Sequence, residues 1–333
     1  MTEPTRDRID FKSLTAEYRP VLDRVEKAIE ERFHSDVAMI PKVSGYLIGG
    51  GGKRIRPLLT IVSARLAGYA GGEREVDLSV VAEYIHAATL LHDDVVDDAD
   101  LRRGAASANV AFGNQASVLV GDFLFAKSFD MMSDDGDIRI IKAMARATTC
   151  LAEGEVLQLV NTCNLDTFES EYLDTIYRKT GALMEACCRV GGLMGNADAA
   201  TVEGLGSYGA SIGIAFQLVD DVLDWLGDQK VWGKPIGADL AEGKITLPLI
   251  RALAAANEDE RGRIGAAIDA DTVDEETVAD ITAILQKYDT LGQTMRLAHE
   301  YVDRAKRGLA ALPQSRHLDT LLGIADYIVQ RDV

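Results

Sequence analysis

Asp93 and Asp97 stand four residues apart in the run Leu90-Leu91-His92-Asp93-Asp94-Val95-Val96-Asp97-Asp98. Asp220 and Asp224 repeat that spacing in Phe216-Gln217-Leu218-Val219-Asp220-Asp221-Val222-Leu223-Asp224. On a helix each pair presents two carboxylates on one face. Two such faces opposed across a cavity repel unless divalent cations lie between them. All-oxygen donors suit magnesium, which keeps several waters and shares phosphate oxygens. Neither run offers the cysteines or dense histidines of a zinc site. The Asp-x-Asp-x-Asp/Asn spacing of a calcium loop is absent. The competing reading is a solvated acidic face. Against it, both runs are embedded in apolar sequence, Ala87-Ala88-Thr89-Leu90-Leu91 and Ala215-Phe216-Gln217-Leu218-Val219.

Cations are spaced to complement these carboxylates. Gly49-Gly50-Gly51-Gly52-Lys53-Arg54-Ile55-Arg56-Pro57 combines a flexible turn with three basic side chains. It is not an ATP-binding P-loop, because no Ser or Thr follows the Gly-Lys pair and no strand precedes it. Arg102-Arg103 follows the first acidic run by a short loop, and arginine favours bidentate phosphate contact. Lys179-Thr180, Lys234 and Lys244 add further phosphate partners. Singly, each lysine reads as a surface residue. As a set, these groups fit two diphosphates.

The elements that must position them are helices. The 333 residues include only seven prolines, and 47% are hydrophobic against 26% charged, an ordinary globular balance. Amphipathic helices are expected over 11–38, with a break from Pro41 through the glycines at 45–52. A helix should start near Arg56-Pro57, with 58–68 buried. A long helix over 76–98 carries the first acidic run near its C-terminal end, and 99–109 reads as loop. Further helices are expected at 114–132, 137–160, 168–194, 200–227, 244–256, 260–271, 273–288, 290–309 and 316–331. Gly206, Gly209 and Gly213 fall inside one of them, where close helix packing is as good a cause as a break. No linker is visible, so a single all-α domain over 1–333, with 1–40 as an N-terminal helical region, is expected.

The net charge of −18 disfavours nonspecific binding to nucleic acid or anionic lipid. Cys150, Cys163, Cys187 and Cys188 form no CxxC pair and read as structural thiols in a reducing compartment. The first ten residues lack the pattern of a secretory signal, and no apolar run is long enough to span a membrane. A cytoplasmic protein is expected.

In combination these motifs resemble the trans-isoprenyl diphosphate synthases, or polyprenyl synthetases. They are Asp93-Asp94-x-x-Asp97 followed by Leu101-Arg102-Arg103-Gly104, Asp220-Asp221-x-x-Asp224, Gly51-Gly52-Lys53-Arg54-x-Arg56-Pro57, Lys179-Thr180 and Gly233-Lys234-Pro235-x-Gly237-x-Asp239-Leu240. The resemblance spans 45–330 and implies a large antiparallel helical bundle around a deep central cavity. It implies that Asp93 and Asp97 hold two Mg2+ ions and Asp220 a third, with Asp224 acting through water. Arg102, Lys179, Thr180, Gln217 and Lys234 would contact the allylic diphosphate, with Lys244 as a further oxygen partner. Lys53, Arg56, His86 and Arg103 would contact isopentenyl diphosphate. Alone, His86 would read as a core histidine. The resemblance also implies a homodimer and head-to-tail condensation, in which the allylic carbon–oxygen bond weakens and isopentenyl diphosphate attacks.

Product length is a question of geometry. In short-chain members an aromatic plug stands four or five residues before the first aspartate. Here those positions are Thr89 and Ala88, both small, and Ile85 one turn further gives no aromatic stop. Tyr84 is out of phase. The run Leu151-Ala152-Glu153-Gly154-Glu155-Val156-Leu157-Gln158-Leu159 resembles the long-chain respiratory-quinone enzymes, the bacterial octaprenyl and decaprenyl synthases. With one helical turn of about 5.4 Å per isoprene unit, an all-trans product of about C40–C50 is expected. Release of so apolar a product implies transient membrane contact, as a peripheral protein at the inner membrane face. A geranylgeranyl diphosphate synthase is the alternative of the same chemistry. A noncatalytic regulatory subunit of a heteromeric prenyltransferase is the alternative of another class. Terpene cyclases and head-to-head synthases fit the paired cations less well.

Overall fold

A computed structural model describes residues 9–33, 35–48, 52–102, 104–227, 236–270 and 272–331. Lys234 and Arg103 lie outside the described residues, as do Gly49, Gly50 and Gly51 of the glycine run and Gly233 and Pro235 beside Lys234. The order is α1 (Phe11–Thr15), a 3₁₀ turn (Ala16–Tyr18), α2 (Arg19–Arg32), α3 (Met39–Ile48), α4 (Ile55–Leu66) and α5 (Glu73–Val96). A hairpin of β1 (Leu101–Arg102) and β2 (Ala105–Ala106) leads to α6 (Ala108–Phe112), α7 (Asn114–Asp135) and α8 (Ile138–Asn161). Then come α9 (Glu169–Ile176), a π-helical turn (Tyr177–Gly181), α10 (Ala182–Met194) and α11 (Ala199–Leu226). The chain continues with α12 (Ala238–Ala241), α13 (Leu247–Ala255), α14 (Glu258–Ile268), α15 (Glu275–Lys287), α16 (Thr290–Gly308) and α17 (Arg316–Val329). Among the described residues the hairpin is the only sheet, pairing Leu101 with Ala106 and Arg102 with Ala105. The all-α expectation holds.

Local differences have physical causes. The break expected from Pro41 onward is instead α3, with Pro41 its third residue. The first N–H groups of a helix have no intrahelical partner, so proline loses nothing there. The loop expected over 99–109 holds the hairpin. The helix expected over 168–194 is interrupted at Tyr177–Gly181 by i→i+5 bonding. The helix expected from Lys244 starts at Leu247, which leaves Lys244 in a connection and free to aim at the site.

Helix α11 starts where Asp198 accepts a hydrogen bond from the Thr201 N–H (2.8 Å). It runs unbroken through its glycines, which serve close packing. A Cβ on Gly209 would lie 2.4 Å from the Met184 carbonyl oxygen, and one on Gly213 would lie 2.6 Å from the Gly181 Cα. The π turn and α10 therefore rest on the α11 backbone. On its other sides α11 packs against α16 and α17. Helix α5 packs on α7, α4 and α2, and it too leans on α10. Thus α10 is the common support of the two aspartate-bearing helices. Tyr84 and Tyr208, both buried, satisfy their hydroxyls on the carbonyls of Ile29 (2.7 Å) and Leu321 (2.6 Å). Among the described residues no helix is long and apolar enough to cross a membrane.

Candidate active site

The first carboxylate set closes the C-terminal end of α5. Asp93 lies in the last turn and Asp97 caps it, its N–H donating to the Asp93 carbonyl (2.8 Å). Burial, together with repulsion from Glu155 and Asp97, pushes the Asp93 carboxyl up to about 7, against the pull of Lys179 and Arg102. Asp97 meets the Lys244 ammonium at 3.0 Å, and Lys244 is shared with Glu242 at 2.6 Å. Those two carboxylates outweigh burial and hold the lysine above its ordinary range. Asp94 has a different task. It is buried and is gripped by Arg102 Nε (2.7 Å) and Nη2 (2.6 Å), which fixes the hairpin to α5.

The second set closes α11. Asp221 is buried, accepts from the Tyr172 hydroxyl and takes a bond from Gln217 Nε2 (3.0 Å). Burial and the nearby Asp239 push its carboxyl well above the usual range. Gln217 in turn accepts from Thr180 Oγ1 (3.3 Å). The Asp224 carboxylate accepts from the Asp239 N–H (3.3 Å), tying α11 to the start of α12. Asp220 forms an ion pair at 2.9 Å with Arg331, itself a buried residue.

Two cavities adjoin α11, and neither is lined by Asp93 or Asp97. The smaller, about 240 Å³, is lined by Lys179, Gln217, Asp221, Asp239 and Lys244. Within it Lys179 meets Glu155 at 2.7 Å and donates to Gln158 Oε1 at 2.8 Å. The larger, about 590 Å³, is lined by Lys53, Arg56, His86, Arg102, Asp220 and Arg331. It is of ordinary ligand-pocket size. Arg56 Nε is sealed from solvent and has no hydrogen-bond partner. Burial pushes its guanidinium below the ordinary value, with Glu83 opposing. A buried donor without an acceptor costs about 1–3 kcal/mol, and an anion in the cavity would recover it. Its neighbour Arg54, in the left-handed region at φ 46°, is occupied otherwise, donating to Glu26 (2.8 and 2.9 Å) and to Glu83 (2.8 Å). Those ion pairs hold the strained turn between Lys53 and Arg56, both of which border the larger cavity. Lys53 is exposed and bonds the Tyr327 hydroxyl.

The sequence-predicted residues thus gather around two connected tasks, with some redistribution. Arg102 lines the larger cavity with Arg56 and His86, apart from Lys179 and Gln217. Thr180 reaches the smaller cavity through Gln217. Ala88 and Ile85 are fully buried in the core, and Thr89 donates its hydroxyl to the His86 carbonyl (2.8 Å). Ala87 and Leu90, rather than Ala88, face the larger cavity. Tyr172, Glu83, Tyr327 and Arg331 were not found from sequence. Each acts through a partner distant in the chain, for which spacing carries no signal.

Among the described residues no three His, Cys, Asp or Glu side chains stand close enough to hold a metal ion as they are. The donors nevertheless suit one. Asp93, Asp97, Asp220 and Asp224 offer only oxygen. The pressure of Glu155 and Asp97 on Asp93 is the excess negative charge that a hard divalent cation offsets.

Comparison with known proteins agrees with this geometry. Residues 37–285 match the polyprenyl synthetase family. The chain is 41% identical over 308 residues to the octaprenyl diphosphate synthase of Escherichia coli K12, covering 92% of this chain and 95% of that protein. A crystal structure of a decaprenyl diphosphate synthase from Rhodobacter capsulatus superposes with a TM-score of 0.91 at 43% identity, covering 97% of this chain and 99% of that one. A polyprenyl synthase from Caulobacter crescentus CB15, complexed with calcium and isoprenyl diphosphate, gives 0.92 at 39%, covering 98% and 99%. With its all-α bundle, its two aspartate-rich helices and its cationic cavity, the chain belongs to the polyprenyl synthetase, or trans-isoprenyl diphosphate synthase, family.

Proposed function

We propose that this chain is a magnesium-dependent, long-chain all-trans polyprenyl diphosphate synthase. It lengthens an allylic diphosphate such as farnesyl diphosphate with isopentenyl diphosphate units, to about C40–C50, for a quinone side chain. The observation that carries the reading is the pair of aspartate-bearing helices, α5 and α11, bordering a cavity that Arg56 lines, with its Nε sealed from solvent and without an acceptor. The long product is supported by the octaprenyl and decaprenyl synthases the chain resembles.

Asp93, Asp97 and Asp220 would hold Mg2+, with Asp224 beside them. The bound ions would neutralise charge on the leaving diphosphate. Lys179 and Lys244, already aimed by carboxylates into the smaller cavity, would bind the same diphosphate, with Thr180 and Gln217 as hydrogen-bond partners. We assign Lys234 and Arg103 to phosphate binding from their motifs alone. Lys53, Arg56 and His86 would hold isopentenyl diphosphate in the larger cavity, and Arg102, which borders that cavity, would reach the allylic diphosphate. As the allylic carbon–oxygen bond weakens, the double bond of isopentenyl diphosphate attacks that carbon, and a proton leaves to a diphosphate oxygen. The preset cations stabilise the departing charge without reorganising. The apolar surroundings of α5 keep water from the cation that develops. No protein nucleophile is needed.

We further propose one domain over the whole chain, a homodimer, and a cytoplasmic enzyme that touches the membrane transiently to release product. The deciding experiment incubates purified protein with farnesyl diphosphate, isopentenyl diphosphate and Mg2+ and separates the products. Products of about C40–C50 are expected. A dominant C15 or C20 product would overturn the chain length. No turnover until another subunit is added would point to the regulatory alternative.

A further inference from the structure

Arg331 lies just past α17, yet it is only 8% exposed. Its guanidinium makes contacts that do not involve Asp220. It stacks 3.8 Å over the Phe216 ring, Nη2 donates to the Phe216 carbonyl (2.9 Å), and Nε donates to the Ile328 carbonyl (3.3 Å). The same Nη2 lies 2.9 Å from Asp220 Oδ1, in an ion pair rather than an aligned hydrogen bond. Phe216 and Asp220 are one turn apart on α11, so a single guanidinium spans both.

From this we infer that Arg331 is a positioning residue that fixes the Asp220 carboxylate, through one oxygen, in the orientation that receives a divalent cation. The inference rests on the reading of Asp220 as a metal ligand. Outer partners that orient a ligating carboxylate commonly matter as much as the ligand contacts themselves. A cation that merely stood in for the ion would have to be released when the ion arrived. Arg331 is instead held by two carbonyls and an aromatic face whether or not Asp220 is engaged. Its planar fork makes the stacking and the hydrogen bonds together, which a lysine cannot do.

The test titrates the full chain with Mn2+ alone and follows free Mn2+ by electron paramagnetic resonance. Wild type, Arg331→Ala, Arg331→Lys and Asp220→Asn are compared. Arg331→Ala should weaken the Asp220 site by about 10–100-fold, with Arg331→Lys in between. Circular dichroism checks that each variant is folded, and Arg331→Lys carries the test if Arg331→Ala is not. Unchanged Mn2+ binding in a folded Arg331 variant overturns the inference. So does tighter binding, which would make Arg331 a competitor for the site. An Asp220→Asn chain that binds Mn2+ as wild type does overturns the metal reading, and the inference with it.

Discussion

At the residue scale, neighbours in one motif do different work. Asp93 lies near Glu155, Asp97 and Lys179, and its raised proton affinity comes first from burial and then from the like charge of Glu155 and Asp97. Asp94, one position on, is spent on Arg102. Asp93→Asn should therefore lower kcat by about 10²–10³-fold, the effect of removing one preorganised electrostatic partner. It should not lower the urea midpoint, because it relieves repulsion. Asp94→Asn should do the reverse in stability. It breaks a buried charge-assisted pair whose arginine is partly exposed, at about 1–3 kcal/mol, and the urea midpoint should fall accordingly. Equal effects of the two changes on stability would refute this division of roles. The spacing of these aspartates was readable in sequence because helical periodicity puts their chemistry on one face. The roles of Tyr172 and Arg331 were not readable, since nothing local links Arg331 to Phe216, 115 positions away.

At the element scale, most helices follow from apolar periodicity, and the exceptions are instructive. Pro41 reads as a breaker but falls where a helix has no hydrogen bond to lose. The π turn at Tyr177–Gly181 has no simple periodic signature, yet it carries Lys179 and Thr180 and packs where Gly213 leaves room. Such turns recur at functional sites because they re-aim side chains without ending a helix. Helix α5 poses the opposite problem, a regular element whose faces divide function. Ala87 and Leu90 border the larger cavity, while Ala88 is fully buried among its neighbours. If the growing chain threads past the Ala88 face, Ala88→Phe should shorten the product while leaving the first condensation intact. Overpacking should also lower stability by about 1–3 kcal/mol. Product chromatography and a single-addition assay measure the two outcomes. Unchanged product length in a folded variant would place the chain's path elsewhere.

At the scale of the whole molecule, the acidic surface and the cationic cavities are complementary facts. With a net charge of −18, positive groups concentrated inside make the interior the attractive place for diphosphates. The exterior has its own asymmetry. Val156, Leu159 and Val160 (61%, 53% and 69% exposed), one turn apart on α8, leave an apolar face uncovered, and Val156 and Val160 line a shallow groove beside α9. Exposed apolar residues scattered singly need no partner, but a contiguous set argues for one. In a twofold dimer each substitution counts twice, because the same face is used on both sides. At about 1.5 kcal/mol for each apolar side chain, Val160→Asp should then weaken association by about a hundredfold. If this face pairs two copies of the chain, sedimentation velocity across a concentration series would show wild-type dimer and variant monomer. A variant that remains as dimeric as wild type would move the dimer interface away from this face of α8.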